Sequence, residues 1–233
     1  RVLFAGTSCQ VAGLKSYLNK DYNNLTTVDF ICHGVPSPAV WKSYIKEKAV
    51  NLNSKIIDIS FRNKKDGWKN YYFRIKTEDG NITYEKDSDN IYMQGFLKGL
   101  YLRPSCYDCK FKTLNRASDI TLADFWGVEK VLPEMYTEKG VSLCWSSSDN
   151  GNRILCKALE DMVYKKVDLQ EAIRHNPSAI KSVNVHKNRD KFFKAFAENK
   201  DSVTNLIEKY YDTRSLRKRL SYKLRTKIKS LFK

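Results

Sequence analysis

Apolar positions along this chain fall into short runs that alternate with amphipathic stretches. Val2-Leu3-Phe4-Ala5 is the first run, and it passes through Gly6-Thr7-Ser8-Cys9 into residues 10–18, where Val11, Leu14 and Leu18 recur on one helical stripe. Residues 25–32 form a second run ending in Cys32-His33-Gly34-Val35-Pro36. Ser37 then caps a helix with Pro38 in its first turn and Val40, Trp41, Tyr44 and Ile45 toward the core. A third strand is expected at 56–61, and strands 71–77 and 81–85 flank Glu78-Asp79-Gly80, a hairpin signal. Residues 88–100 read as a helix with Tyr92, Phe96 and Leu100 on one face. Residues 120–123 read as a buried strand ending in Asp124-Phe125-Trp126-Gly127. A loop through Pro133 follows, then a strand at 141–145, a break at Asp149-Asn150-Gly151 and an amphipathic helix at 153–163. Beyond Asn176-Pro177 the chain is polar and helical, with helices expected at 188–197 and 202–211. Strands alternating with helices predict an α/β fold, a mixed sheet with flanking helices, plus a helical basic C-terminal extension. The domains expected are 1–175, incomplete at its N-terminal side, and a basic helical tail at 176–233. A chain opening on Arg1 directly before a core strand, with no methionine, leads us to expect residues upstream.

With 233 residues and 42% hydrophobic content, the chain can bury a substantial core and is not a disordered polymer. No apolar run is long enough to span a bilayer and no secretory signal opens it, so a cytoplasmic location is expected. The net charge of +16 is unevenly spread: residues 210–233 hold nine Lys or Arg against Asp212 alone, a net +8. The excess therefore describes the tail more than the domain's substrate. In the tail, Leu216, Leu220, Leu224, Ile228 and Leu231 recur at helical spacing, flanked by basic residues. That stripe fits docking on the protein's own body, or peripheral binding to an anionic membrane surface at the inner face.

Six cysteines are too sparse for a disulfide scaffold. Cys106-Tyr-Asp-Cys109 lets two sulfurs face one concave turn and hold a metal centre, although a lone pair of this kind is a weak signal. Cys9 and Cys32 end two strands beside glycines, and parallel neighbouring strands bring them to one sheet edge. Cys9, Cys32, Cys106 and Cys109 together make four thiols, enough for tetrahedral zinc or a cubane cluster. One close pair with two scattered thiols favours the cluster. Cys144 and Cys156 read as core thiols, the latter on an apolar face with Leu155, Leu159 and Met162. Gly6 supplies a turn, Thr7 or Ser8 caps the helix, and the free amides around Gln10 suit an anion or a thiolate. Arg62 and Lys64 follow a strand end and are candidates for an anionic cofactor, or ordinary surface charges. His33 is a candidate donor to a cluster sulfur, a flavin or a substrate, or equally a turn hydrogen bond. Asp124 is a candidate reacting carboxylate, or a cap. His175 and His186 lie in polar connections and read as solvated. No Gly-x-Gly-x-x-Gly and no P-loop is present.

Five stretches resemble a known family: FAGTSCQVAGL at 4–14, VDFICHGVPSP at 28–38, FRNK at 61–64, LRPSCYDC at 102–109 and SDITLADFWG at 118–127. Together they are similar to the beta subunits of coenzyme F-420 hydrogenases and dehydrogenases, over roughly residues 1–155. The resemblance implies an oxidoreductase with a 4Fe-4S cluster on Cys9, Cys32, Cys106 and Cys109 and a flavin, FAD or FMN. Electrons would pass between them and a deazaflavin or another small-molecule acceptor. A redox partner protein or an upstream ferredoxin-like segment would complete the chain of transfer. Relatives also occur among bacterial genes for surface-polysaccharide synthesis. The family usually carries proline where Ser8 stands and glycine where Ala123 stands. Its ferredoxin-like segment and its Ser/Gly-rich flavin-contacting stretch have no counterpart in this sequence. Two other readings stand beside the redox one: a zinc-stabilised nucleic-acid-binding module, for which Lys64, Trp68, Lys69, Tyr71 and Tyr72 interleave bases and rings, and a non-redox polysaccharide-synthesis protein on the same fold. A hairpin with one wet face explains the interleaving better, and nucleic acid is not the favoured partner.

Overall fold

The computed structural model describes residues 1–198 and 201–211. In chain order its elements are β1 (Val2–Ala5), α1 (Ser8–Leu18), β2 (Leu25–Phe30), α2 (Pro38–Asn51), β3 (Ile56–Asn63), β4 (Tyr72–Thr77), β5 (Ile82–Lys86), α3 (Ile91–Leu97), β6 (Ile120–Asp124), α4 (Val128–Val131), β7 (Ser142–Ser146), α5 (Asp149–Leu159), α6 (Leu169–Ile173), α7 (Arg189–Ala197) and α8 (Val203–Tyr211). The fold is α/β with a mixed sheet and flanking helices. The chain weaves between two compact units: residues 1–34, 64–71 and 104–183 form the first, and 35–63, 72–103 and the described residues from 184 onward form the second. No helix among the described residues is long and apolar enough to cross a membrane. The basic amphipathic helix expected around Leu216–Leu231 lies outside the described residues.

The first unit is built on the sheet β1-β2-β6-β7, in which β1, β2 and β6 run parallel and β7 is antiparallel to β6. Phe4 pairs with Thr27, Asp29 with Thr121, and Thr121 with Trp145, so these residues share one face. Because the three leading strands are parallel, their carboxyl ends, at Ala5, Phe30 and Asp124, lie along one edge of the sheet. The apolar core of this unit is small and centres on Phe125, Val128, Leu143, Ala172, Ile173 and Ala179. On the face opposite Asp29, the register pair Phe30 and Leu122 stays exposed, as does Leu3 at the edge. The strand at 120–123 is thus buried at Ile120 and Thr121 and opens to solvent at Leu122.

Two local expectations are corrected here. Asp149-Asn150-Gly151 does not break the chain but opens α5. Ser148 Oγ accepts a hydrogen bond from Gly151 N at 3.0 Å, and Asp149 sits favourably in the first turn. Gly151 is required by packing: a Cβ there would stand 2.0 Å from the Asp119 carbonyl oxygen. The helix ends correspondingly earlier, at Leu159, and leaves Met162 and Val163 exposed. The loop expected after Gly127 begins with the short helix α4, whose Gly127 takes φ 84°, a left-handed value that glycine adopts freely.

The second unit packs the antiparallel sheet β3-β4-β5 with α2, α3, α7 and α8. Strand β4 alternates cleanly, with Phe73, Ile75 and Thr77 buried. Tyr44 stacks on Tyr92 at 4.8 Å, Tyr92 lies 5.3 Å from Tyr101, and Phe61 meets Phe73 edge-on at 5.2 Å. Gly95 admits the close approach of α3 to α8: a Cβ would fall 2.7 Å from the Tyr101 ring and 2.9 Å from Ile207. His186, read from sequence as solvated, is buried here. Its Nδ1 accepts from Asn188 N at 3.2 Å and its Nε2 faces the Tyr211 carbonyl at 3.1 Å. The helical 188–197 and 202–211 stretches correspond to α7 and α8.

Candidate metal centre

Helix α1 starts where β1 ends. Thr7 precedes it with extended backbone, its N–H donates to Gln10 Oε1 at 2.9 Å, and Gln10 N donates back to the Thr7 carbonyl at 2.9 Å. This reciprocal cap fixes the turn that carries Cys9, whose sulfur stands 3.1 Å from Thr7 Oγ1. The Gly6 N–H donates to Val28 O at 3.0 Å, tying the turn to β2. Of the anion-cradle candidates, Thr7 and Gln10 thus satisfy each other, and Ser8 Oγ accepts from Arg116 at 2.6 Å. Strand β2 runs on through Ile31, whose N–H donates to Leu122 O at 3.1 Å, and delivers Cys32 and His33 just past the same sheet edge. His33 and Asp124 are both half-buried, Asp124 as the last residue of β6.

Cys106 and Cys109 follow the Pro104 turn. Cys109 N donates to Ser182 Oγ at 2.9 Å, which fastens this loop to the 177–182 stretch. Three residues on, Lys112 Nζ donates to the carbonyl of Cys32 and, at 2.8 Å, to that of Ser178. Burial pushes the Cys32 thiol up; the Lys112 ammonium lowers it, the charges of Cys106 and Cys9 raise it further, and the Gly34 N–H lowers it through a hydrogen bond. Lys112 is in turn pulled down by burial and pushed up by Cys32, Cys109 and Cys106. Cys9 and Cys106 thus lie within electrostatic reach of Cys32, and Cys32, Cys109 and Cys106 within reach of the Lys112 ammonium. Among the described residues, however, no three His, Cys, Asp or Glu side chains are drawn together closely enough to hold a metal ion as they stand. By the chemistry of their donors the four thiols fit a thiolate-held centre, with cations and main-chain N–H groups close by.

Arg116 anchors the network from beneath. Its guanidinium is 2% exposed and donates to Ser8 Oγ at 2.6 Å, Phe111 O at 3.3 Å and Ala179 O at 3.1 Å. Asp29, fully buried, lies 3.6 Å away and accepts from Thr121 Oγ1 at 2.6 Å. Asp119 makes a second buried anchor: Thr27 N and Oγ1 donate to its Oδ2 at 2.7 and 2.8 Å, and Ser148 Oγ to its Oδ1 at 2.5 Å. Burial would raise the Asp119 carboxyl, but these hydrogen bonds prevail and hold it below the usual range. Lys112, Asp29 and Asp119 are not among the candidates that the sequence singles out. Their only local signal is a charged residue beside an apolar run, which most surface charges share.

Arg62 and Lys64 belong to different units. Arg62 is half-buried in β3, while Lys64 is exposed in the first unit and its carbonyl accepts the Gly67 N–H at 3.2 Å. Trp68, offered as a ring on which a base would stack, is 1% exposed and packs on Trp126 at 4.6 Å. Cys144 is half-buried, as a strand thiol should be. Cys156 is exposed, contrary to the core reading: the inward stripe of α5 is Gly151, Leu155, Ala158 and Leu159, and Cys156 lies off it.

An α/β unit with thiols at the carboxyl edge of its sheet defines the class, and residues 1–172 agree with it. The family model for the C terminus of the coenzyme F420 hydrogenase/dehydrogenase beta subunit matches residues 1–172, and the chain belongs to that family, a family of oxidoreductase subunits. A chain of the F420-reducing [NiFe] hydrogenase complex from Methanosarcina barkeri, solved as a xenon derivative, is similar at 18% identity and a TM-score of 0.40. The match covers 90% of this chain and 61% of that one, so this chain spans about three fifths of the relative's length. No curated protein matches the chain.

Proposed function

We propose that the chain is an iron–sulfur flavoprotein module that passes electrons between a flavin, a 4Fe-4S cluster and an organic acceptor, deazaflavin-like or other. The observation that carries this reading is that the Cys106–Cys109 loop is tied to the Cys32 turn, Lys112 Nζ donating to the Cys32 carbonyl, while the parallel neighbour β1 ends in the turn that carries Cys9. Membership of an oxidoreductase family supports it. When bound, such a pair links two-electron exchange at the flavin to one-electron exchange at the cluster. The residues of this chain supply position and charge. Cys9, Cys32, Cys106 and Cys109 would hold the cluster. The Gly6–Gln10 turn would receive the anionic part of the flavin; Lys64 in the same unit and Arg62 in the second unit are each separate candidate cations for it. His33 and Asp124 would lie toward the substrate. Residues 1–175 would form this redox domain and 176–233 a basic appendage for peripheral contact with an anionic membrane. A redox partner protein would supply or take the electrons, in a cytoplasmic setting, and surface-polysaccharide synthesis is one pathway that would use them.

The ligand set is tested by anaerobic reconstitution of single variants. Cys9→Ser, Cys32→Ser, Cys106→Ser and Cys109→Ser should each lose the visible cluster absorbance. Cys144→Ser and Cys156→Ser should keep it. Full cluster content in Cys32→Ser would overturn the four-thiol assignment.

A further inference from the structure

Lys112, half-buried, differs from Arg116, the buried cation of the first unit. Arg116 has a carboxylate, Asp29, at 3.6 Å. Among the described residues Lys112 has no carboxylate in an ion pair, and its two hydrogen-bond acceptors are the neutral carbonyls of Cys32 and Ser178. An ammonium drawn out of water is costly unless an anion compensates it. An ammonium held by main-chain carbonyls cannot swing back to solvent without giving up both bonds. Its position is thus set by the turn that carries Cys32 and by the stretch at Ser178.

We propose that Lys112 is the built-in counter-cation of the thiol site, holding an ammonium against the negative charge that the site carries once its sulfurs are thiolates bound to a cluster. The assignment rests on the cluster reading above. Groups outside the ligand shell commonly set a cluster's potential through charge and hydrogen bonding. A fixed positive charge favours the more negative, one-electron-reduced state, so Lys112 raises the midpoint potential. Lys110 provides an internal control. It is two residues away and carries the same charge, but it is largely exposed and pairs with Asp108 at 2.7 Å, where solvent screens it.

The test loads the full chain with iron and sulfide under anaerobic conditions. Iron and sulfide per chain are measured, and the midpoint potential is read by mediated titration, the electrode supplying one electron per cluster. Wild type is compared with Lys112→Met, Lys112→Arg and Lys110→Met. Lys112→Met should shift the potential to more negative values, while Lys112→Arg and Lys110→Met stay near wild type. If Lys112→Met does not retain cluster at all, full loading of Lys112→Arg supports the same role, because charge is then what the site needs. A Lys112→Met protein with wild-type content and potential overturns the assignment, as does an equal shift in Lys110→Met or loss of cluster from both Lys112 variants. A wild-type chain that takes up no iron and sulfide overturns the cluster reading itself, and the Lys112 role falls with it.

Discussion

The two units keep their interiors by different means. The second is filled with rings: Tyr44, Phe73, Tyr92, Tyr101 and Phe192 are all at or near zero exposure and touch one another in series. The first has a modest apolar cluster, and beside it a layer of buried polar groups comprising Ser8, Thr27, Asp29, Arg116, Ser118, Asp119 and Thr121. Burying ring area is favourable but non-directional. Hydrogen bonds and a buried ion pair contribute little net free energy, yet they fix where a backbone segment sits. Within that layer Arg116 reaches the start of α1 beside Cys9 through Ser8 Oγ. The unit that carries the four candidate thiols, on three segments, is the one built on directional contacts.

The comparison predicts unequal responses to truncation. Tyr44→Ala or Phe73→Ala should cost about 3–5 kcal/mol by denaturant unfolding, the usual range for deleting a buried ring. Phe30→Ala, on the exposed face of the first unit's sheet at 46% exposure, should cost under about 1 kcal/mol. Similar losses at both places would remove the contrast.

Asp29→Asn should cost about 3 kcal/mol, because it leaves the Arg116 charge buried without its partner. Arg116→Met added to Asp29→Asn should recover part of that loss, and a double-mutant cycle measures the coupling. Additive losses would mean that the pair does not act as a unit. Gly151→Ala should cost about 1–3 kcal/mol by forcing α5 away from the Asp119 carbonyl, a packing strain of the ordinary kind.

These sites also mark what is legible in the sequence. Strand ends, the Thr7 and Ser37 starts and the hairpin at Gly80 are local decisions, made by side chains within a few residues, and they are readable in order. The start of α5 is not, because Asp149-Asn150-Gly151 is turn chemistry in isolation. Only the approach of Asp119, from far upstream in the chain, makes Gly151 a helical necessity. The passage of 64–71 into the first unit, between strands of the second, is likewise a long-range outcome. Cys9 and Cys32 can be brought together by parallel-strand logic alone. Lys112 cannot, since its meaning lies in carbonyls 80 and 66 residues away. His186 is misread for the same reason: its polar neighbours in sequence are not its neighbours in space.

The smallest effect concerns pH and the second unit. Burial first, then Lys98 and Lys187, pull His186 below 6.5, against the opposing Tyr211 carbonyl. The native state therefore binds this proton less readily than the unfolded chain. Its stability contribution is fully present above about pH 6.5 and is lost as pH falls through the depressed value. Protonation at Nδ1 would also set two N–H groups against each other at Asn188. His186→Gln should flatten the fall in stability between about pH 7 and pH 5, and an unchanged slope would exclude His186 as its source.

The central claim is that the directional unit exists to hold a thiolate-bound cluster. Anaerobic purification of the full chain, followed by iron, acid-labile sulfide and zinc analysis, tests it most directly. About four iron and four sulfide per chain, with little zinc, is the result this account predicts. Stoichiometric zinc with neither iron nor sulfide would contradict it.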